Sequence, residues 1–120
     1  MIYTGKFQKL ADDACSSVEG VLPEQVDVLI AQGAIALDIR DREEHDTGHI
    51  EGSLNISRGK LEMNIEAKIE NLETVILCYC NAVNRGALSA NAIRNMGYKN
   101  AKYINGGLFG YRSFKKEGTK

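Results

Sequence analysis

The chain has 120 residues, of which 43% are hydrophobic and 26% charged, with 15 basic and 16 acidic side chains. This composition is typical of a single globular domain and excludes a disordered chain. The net charge of −1 gives no sign of a nucleic-acid partner, and no apolar run reaches the ~20 residues of a membrane span. Residues 1–15 lack the apolar core of a signal peptide, so we expect a cytoplasmic protein that binds neither nucleic acid nor membrane.

The chain has three cysteines: Cys15, Cys78 and Cys80. An odd number, with two of them only two residues apart, argues against a disulfide framework, and the absence of a CxxC pair argues against structural zinc. His45 and His49 have the spacing of a helical metal pair, but Gly48 breaks the helix that such a pair would need. We therefore predict no metal site.

Apolar periodicity predicts helices and strands that alternate along the chain. The predicted helices are 6–18, 23–32, 42–46, 61–72, a central helix from 85 or 86 to 96, and 108–116. The predicted strands are 21–22, 34–39, 54–56, 75–79 and 102–104. This alternation predicts an α/β fold with a parallel sheet that is covered by helices on both faces. In the first helix the side chains predicted to face inward are Phe7, Leu10, Ala14 and Val18.

The central strand and the residues after it are the most informative part of the chain. Residues 75–79 (VILCY) form an uncharged run, as expected for a strand that is buried on both faces. Cys80 follows at its carboxyl end, and a short loop then leads into a helix. Open α/β sheets bind ligands at this edge, and the N–H groups and dipole of a helix N-terminus stabilise an anion. A cysteine here is a candidate nucleophile, because the thiolate is the reactive form.

Several stretches together resemble a single rhodanese-homology domain, in the same order as in that family. They are LPEQVDVLIAQG (22–33), LDIRDREEHDTGHIEGSLNI (37–56), SRGKLEMNIE (57–66), VILCYCNAVNRGALSANAIRNMGYKN (75–100) and INGGLFGY (104–111). The resemblance implies a three-layer α/β/α fold with a five-stranded parallel sheet. It divides the chain into an N-terminal helical extension (1–19), the rhodanese-like domain (20–114) and a charged, frayed tail (115–120). It also implies a catalytic cysteine that carries sulfane sulfur as a persulfide, and by position this residue is Cys80.

Two positions depart from the family pattern. The active-site loop of the family usually reads Cys-x-x-Gly-x-Arg, whereas Val83 stands here in the glycine place. A branched side chain restricts φ and adds bulk, so we expect narrower access for a substrate. Tyr111 replaces a usual tryptophan, which is a mild change. The spacing from Cys80 to Arg85 is retained.

The loop itself consists of Asn81, Ala82, Val83, Asn84 and Arg85. It offers no acid or base, and the sequence identifies no partner for His45 or His49. Hydrolysis by a Cys–His pair is therefore poorly supported. Both histidines are interpreted as structural or solvated.

Charged residues near the loop and the two other cysteines also have expected roles. We expect Arg85 to pair with Asp38 from the adjacent strand end, although it could also bind a substrate anion. Arg40 and Arg58 either add positive charge at the mouth of the site or are ordinary surface residues. Cys15 is interpreted as a buried structural thiol. Cys78 could resolve a persulfide on Cys80, but the two lie ~6.6 Å apart along the strand, beyond comfortable disulfide reach unless the strand kinks, so a buried core thiol is the favoured interpretation.

Three classes of function remain open. The first is an enzyme that moves sulfane sulfur from a small anionic donor, such as thiosulfate or a polysulfide, to a thiol or cyanide, without metal or organic cofactor. The second is a sulfur carrier that takes persulfide sulfur from a partner protein. The third, a phosphatase or arsenate reductase, needs a Cys-x5-Arg loop, and here the arginine comes one residue sooner.

Overall fold

The computed structural model describes residues 2 to 118, and its centre is a five-stranded sheet in which every pairing is parallel. The spatial order is β1-β5-β4-β2-β3. The strands are β1 (Gly20–Val21), β2 (Ile35–Asp38), β3 (Leu54–Asn55), β4 (Ile76–Tyr79) and β5 (Ala101–Ile104). The helices are α1 (Gly5–Ser17), α2 (Pro23–Ala31), α3 (Arg42–Thr47), α4 (Leu61–Lys68), α5 (Asn84–Arg94) and α6 (Gly107–Gly118), with a 3-10 turn at Arg58–Lys60.

The central strand β4 divides the core into two layers. All four of its residues are buried, and alternate side chains point to opposite faces of the sheet. Cys78 and Cys80 pack in the cluster that contains buried residues of α4 and α5, whereas Leu77 and Tyr79 pack in the cluster that contains Val26 of α2. The predicted three-layer α/β/α architecture is thereby confirmed.

Helix α1 packs along α5, and Ala14 and Val18 are buried as predicted, but Leu10 is not. Ala11, Ala14 and the following Val18 are buried, whereas Leu10 is 58% exposed. Alanines allow close approach of the two helices, since α5 also buries Ala87 and Ala90. The prediction that Leu10 faces inward is therefore wrong.

The ends of two further helices differ from the predicted ones. Helix α4 ends at Lys68, four residues early, because Ile69 takes an extended conformation (φ −134°, ψ 96°). Ile69 still packs in the core, and its carbonyl accepts a 2.6 Å hydrogen bond from the Tyr98 hydroxyl. Helix α6 continues to Gly118 into the predicted frayed tail, while Thr119 and Lys120 lie outside the described residues.

None of the helices formed by residues 2–118 combines the length and the apolar character needed to cross a membrane.

Candidate active site

Cys80 lies directly after β4, at the base of a groove of about 970 Å³. Only 3% of the cysteine is exposed, so its thiol is largely shielded from bulk water. All five of the predicted loop residues line the same groove: Asn81, Ala82, Val83, Asn84 and Arg85. The structure therefore brings the cysteine and its loop together at the carboxyl edge of the sheet, where ligands bind in folds of this kind.

Helix α5 starts unusually close to the strand that carries the cysteine. A Cβ atom on Gly86 would lie 3.2 Å from both the Cys78 carbonyl oxygen and the Tyr79 Cα, so glycine permits this approach. The first hydrogen bond of the helix runs from the Ala87 N–H to the Val83 carbonyl at 2.9 Å. The earlier N–H groups of α5 consequently lack intrahelical acceptors, and N–H groups at a helix start can bind an anion.

Val83 takes φ −130° and ψ −48° immediately before α5. This conformation is accessible to a branched residue, and none of the described non-glycine residues has a positive φ. The loop therefore forms without left-handed strain, and the valine side chain lines the groove, as expected if it narrows access.

The turn at Gly106–Gly107 holds the loop from the other side. The Leu108 N–H donates to the Cys80 carbonyl at 2.9 Å, and the Phe109 N–H donates to the Asn81 carbonyl at 3.1 Å. Gly107 has φ +56°, and a Cβ atom there would lie 2.5 Å from the Cys80 carbonyl oxygen and closer still to that of Ala82. The first turn of α6 thus fixes the backbone of the loop through a close contact that only glycine allows.

A buried ion pair between Asp38 and Arg40 supports the loop through a hydrogen bond from Arg40 to Asn81. Asp38 is fully buried, and Arg40 donates to its two carboxylate oxygens from Nε at 2.9 Å and Nη2 at 2.7 Å. Arg40 also donates from Nη1 to the Asn81 side-chain oxygen at 3.1 Å and from Nη2 to the Gly48 carbonyl at 2.7 Å. Burial alone would raise the pKa of Asp38, but hydrogen bonds from Arg40 and His45 outweigh it, and the pKa is lowered. Arg40 therefore ties β2 to the active-site loop and does not line the groove.

Arg85 lies at the rim of the groove and pairs with Glu44 of α3. Its Nη1 and Nη2 groups donate to the two Glu44 carboxylate oxygens at 3.0 and 3.2 Å. This hydrogen bonding raises the pKa of Arg85, and the negative charge of a Cys80 thiolate raises it further. Glu44 thus holds the Arg85 guanidinium at the groove.

The predicted pairing of Arg85 with Asp38 is therefore wrong. Asp38 is already occupied by Arg40 and by His45, whose Nδ1 lies 2.9 Å from the carboxylate. His45 thus has a partner that the sequence did not reveal, and it stacks on His49 with ring centroids 3.7 Å apart. Within residues 2–118 no group of three or more His, Cys, Asp or Glu side chains could hold a metal ion.

The remaining candidates lie away from the groove. Arg58 pairs with Glu62 at 2.8 Å on the surface. Cys78 is fully buried, and burial raises the pKa of its thiol to about 12, which fits an inert core residue. Cys15, predicted to be buried, is partly exposed.

Sequence reasoning missed three contributors to the site. They are Glu44 as the partner of Arg85, Gly107 as the residue that holds the loop, and the groove wall formed by residues 2–4, 7 and 8. The only available signal for Glu44 was that α3 follows β2, whose carboxyl end lies at the same sheet edge as Cys80. No signal in the sequence related the N-terminal helix to the loop.

Comparisons with known proteins agree with this geometry. A sequence model of the Rhodanese-like domain matches residues 22–114. The thiosulfate sulfurtransferase GlpE of Pseudomonas entomophila is 30% identical over 98 residues, which cover 82% of this chain and 88% of that protein. The tRNA uridine(34) hydroxylase of Wigglesworthia glossinidia brevipalpis is 27% identical over 94 residues, which cover 75% of this chain but only 30% of that protein.

Solved structures show the same relationship. A protein of unknown function from Rhodopseudomonas palustris, described as a possible tyrosine phosphatase, has a TM-score of 0.83 and 28% identity, covering 96% of this chain and 94% of its own. The human single-domain sulfurtransferase TSTD1 has a TM-score of 0.71 and 27% identity, covering 80% of this chain and 96% of its own. With the family match spanning most of the chain and including the whole Cys80 loop, this protein belongs to the rhodanese-like family.

Proposed function

We propose that the protein is a sulfurtransferase that transfers sulfane sulfur through a persulfide on Cys80. The observation that carries the proposal is that Cys80 lines the same groove as the start of α5, whose first N–H groups have no intrahelical acceptor. Kinship with proteins named thiosulfate sulfurtransferases supports the same class of chemistry. The two charged side chains that line the groove, Glu44 and Arg85, pair with each other.

The reaction has two displacement steps. The Cys80 thiolate attacks the outer sulfur of a donor such as thiosulfate, a new S–S bond forms, the donor's S–S bond breaks, and sulfite leaves with the electron pair. A thiolate or cyanide acceptor then attacks the outer sulfur of the persulfide, and the electron pair of the breaking bond returns to Cys80. The helix N–H groups stabilise the negative charge on sulfur in both steps.

A phosphatase is the weaker candidate, although one similar structure is described as a possible tyrosine phosphatase. Four residues separate Cys80 from Arg85, which is one fewer than a loop that wraps a tetrahedral oxyanion. Arg85 also directs both of its terminal nitrogens at Glu44, whereas a phosphatase arginine has to hold the substrate oxygens. Both features favour sulfur chemistry.

Intact mass spectrometry after incubation with thiosulfate tests the proposal. We expect the wild-type protein to gain one sulfur that a reductant removes, and Cys80→Ser to gain none. Cys15→Ser and Cys78→Ser are matched controls that should retain the added sulfur. Loss of the sulfur from either control, with retention in Cys80→Ser, would show that the nucleophile is assigned wrongly.

A sulfur carrier with little small-molecule turnover gives a different result in the same assay. The carrier would take up sulfur from a persulfidated protein but not from thiosulfate, and it would release little thiocyanate with cyanide. Hydrolysis of an aryl phosphate that depends on Cys80, without any sulfur uptake, would favour the phosphatase.

A further inference from the structure

The active-site groove has an apolar wall that comes from outside the matched family region. The residues before Val21 precede the family match, yet Ile2, Tyr3, Thr4, Phe7 and Gln8 line the groove together with the Cys80 loop. Tyr3 and Phe7 contact each other with ring centroids 5.2 Å apart. Phe109 of α6, which is 58% exposed, lines the groove as well.

This wall is fixed to the catalytic loop. The amides of Gln8 and Asn84 bond to each other reciprocally, at 3.2 Å from the Asn84 donor and 3.4 Å from the Gln8 donor. At the other end of α1, Arg94 of α5 donates to the Ser17 carbonyl at 3.0 Å. Because buried alanines lie between these two attachments, α1 is held in place beside the loop.

The charge of the groove points away from a small anion as the best acceptor. Among the described residues that line it, Glu44 and Arg85 are the only charged side chains. They pair through two hydrogen bonds, so the positive charge of Arg85 is largely compensated. A small anionic acceptor such as cyanide would find little net attraction at the Glu44–Arg85 pair, whereas an acceptor with an uncharged apolar body would lose nothing there.

The size of the groove points in the same direction. About 970 Å³ lies at the upper end of the range of ~300–1,000 Å³ for sites that hold drug-sized ligands. A small inorganic sulfur anion would leave the aromatic wall exposed to water. An organic molecule with an apolar body would cover it and remove apolar surface from water.

From the wall, the charge and the size together, we propose that the acceptor is a small organic thiol with an apolar body, and that Tyr3 and Phe7 determine this specificity. The proposal rests on the sulfurtransferase function proposed above. In the transfer step, the acceptor thiolate attacks the outer sulfur of the Cys80 persulfide, an S–S bond forms in the organic persulfide, and the old S–S bond breaks. Its electron pair stays on Cys80 as the thiolate, while the apolar body rests against the aromatic wall.

The test compares three acceptors on persulfide-loaded protein: 2-phenylethanethiol, 2-mercaptoethanol and cyanide. Rates are measured by quenching and intact mass spectrometry, with the two thiols compared at equal thiolate concentration. We expect Tyr3→Ala and Phe7→Ala each to slow transfer to 2-phenylethanethiol by about tenfold, the effect of leaving ~55 Å² of apolar surface in water. Transfer to the other two acceptors should be unchanged.

Leu10→Ala is the matched control, because Leu10 is an exposed apolar residue of the same helix that does not line the groove. It should leave all three rates unchanged, and Phe7→Leu should restore much of the lost rate because it restores apolar bulk. Equal slowing with all three acceptors, or no slowing with 2-phenylethanethiol, would overturn the proposal. A protein acceptor would give the second of these results.

A separate binding measurement distinguishes failure of this proposal from failure of the proposed function. If the wild-type protein takes up no sulfur, the sulfurtransferase function fails. Binding of 2-phenylethanethiol to the Cys80→Ser protein, followed by NMR, still reports on the wall. That binding should weaken about tenfold with Tyr3→Ala, and unchanged binding would refute the role of the wall independently of any turnover.

Discussion

Replacing Gly107 with alanine tests whether the first turn of α6 positions the active-site loop. The new Cβ atom would lie 2.5 Å from the Cys80 carbonyl oxygen, where real contacts essentially never fall below 3.0 Å. The loop would therefore have to move by about half an ångström. The left-handed φ of +56° adds a second penalty, because alanine lacks the freedom of glycine there.

The two effects together give the expected magnitude. The left-handed conformation costs ~1 kcal/mol, and forced overpacking adds ~1–3 kcal/mol, so the free energy of unfolding should fall by ~2–4 kcal/mol. For a domain of this size the melting temperature should then drop by roughly 10–15 °C. A half-ångström shift of the loop should also slow sulfur uptake about tenfold, since a misplacement of ~1 Å can cost ~100-fold.

Thermal denaturation and the rate of sulfur uptake from thiosulfate measure both consequences. Gly59→Ala is the matched control, because Gly59 lies in the Arg58–Lys60 turn with nothing within 4 Å of its added Cβ. Its melting temperature and uptake rate should stay close to the wild-type values. If Gly107→Ala behaves like this control, the close contact between α6 and the loop does not position Cys80, and the reasoning is refuted.

Two other substitutions probe the loop and its support. Val83→Gly removes a branched side chain from the groove. In a steady-state cyanide assay it should raise kcat/KM for thiosulfate about tenfold, because one charge-assisted hydrogen bond of ~1.4 kcal/mol would be regained. Equal or lower activity would make Val83 a neutral variation. Asp38→Asn leaves the Arg40 charge buried without its partner and should lower the free energy of unfolding by ~3–5 kcal/mol near pH 7. Because the pKa of Asp38 is lowered in the fold, its carboxylate stabilises the protein above the ordinary value of 3.8, and that contribution is lost as the pH falls through the lower folded-state value. The difference in melting temperature between wild type and Asp38→Asn should therefore be large at pH 7 and shrink below pH 3.8, whereas a difference independent of pH would argue against the ion pair.

Local sequence patterns were sufficient to predict the elements and the position of Cys80 in the fold. An uncharged run such as 75–79 is typical of a strand that is buried on both faces. Because strands and amphipathic helices alternate along the chain, a parallel sheet covered by helices is the fold that buries it. Cys80 then has to lie at the carboxyl edge of the sheet, because it directly follows the strand. These features depend on neighbours in the chain, so the sequence alone determined them.

The partners of the charged residues were decided only by the tertiary structure. The sheet order brings β2 beside β4, so α3 and the start of α5 meet although Glu44 and Arg85 are 41 residues apart. Several carboxylates end near the same edge, and the choice among them depends on burial and side-chain reach, which no local pattern encodes. Asp38 is buried and saturated by Arg40, so Arg85 at the rim pairs with the more exposed Glu44.

The wall of the groove was decided in the same way. Periodicity indicates that α1 has apolar residues, but it does not say which of them pack on α5 and which reach the loop. Two small side chains, Ala11 and Ala14, let α1 approach α5 closely, and this contact turns Leu10 to solvent and Phe7 to the groove. Such a choice depends on the shape of the other helix, and shape complementarity between distant segments exists only once the chain has folded.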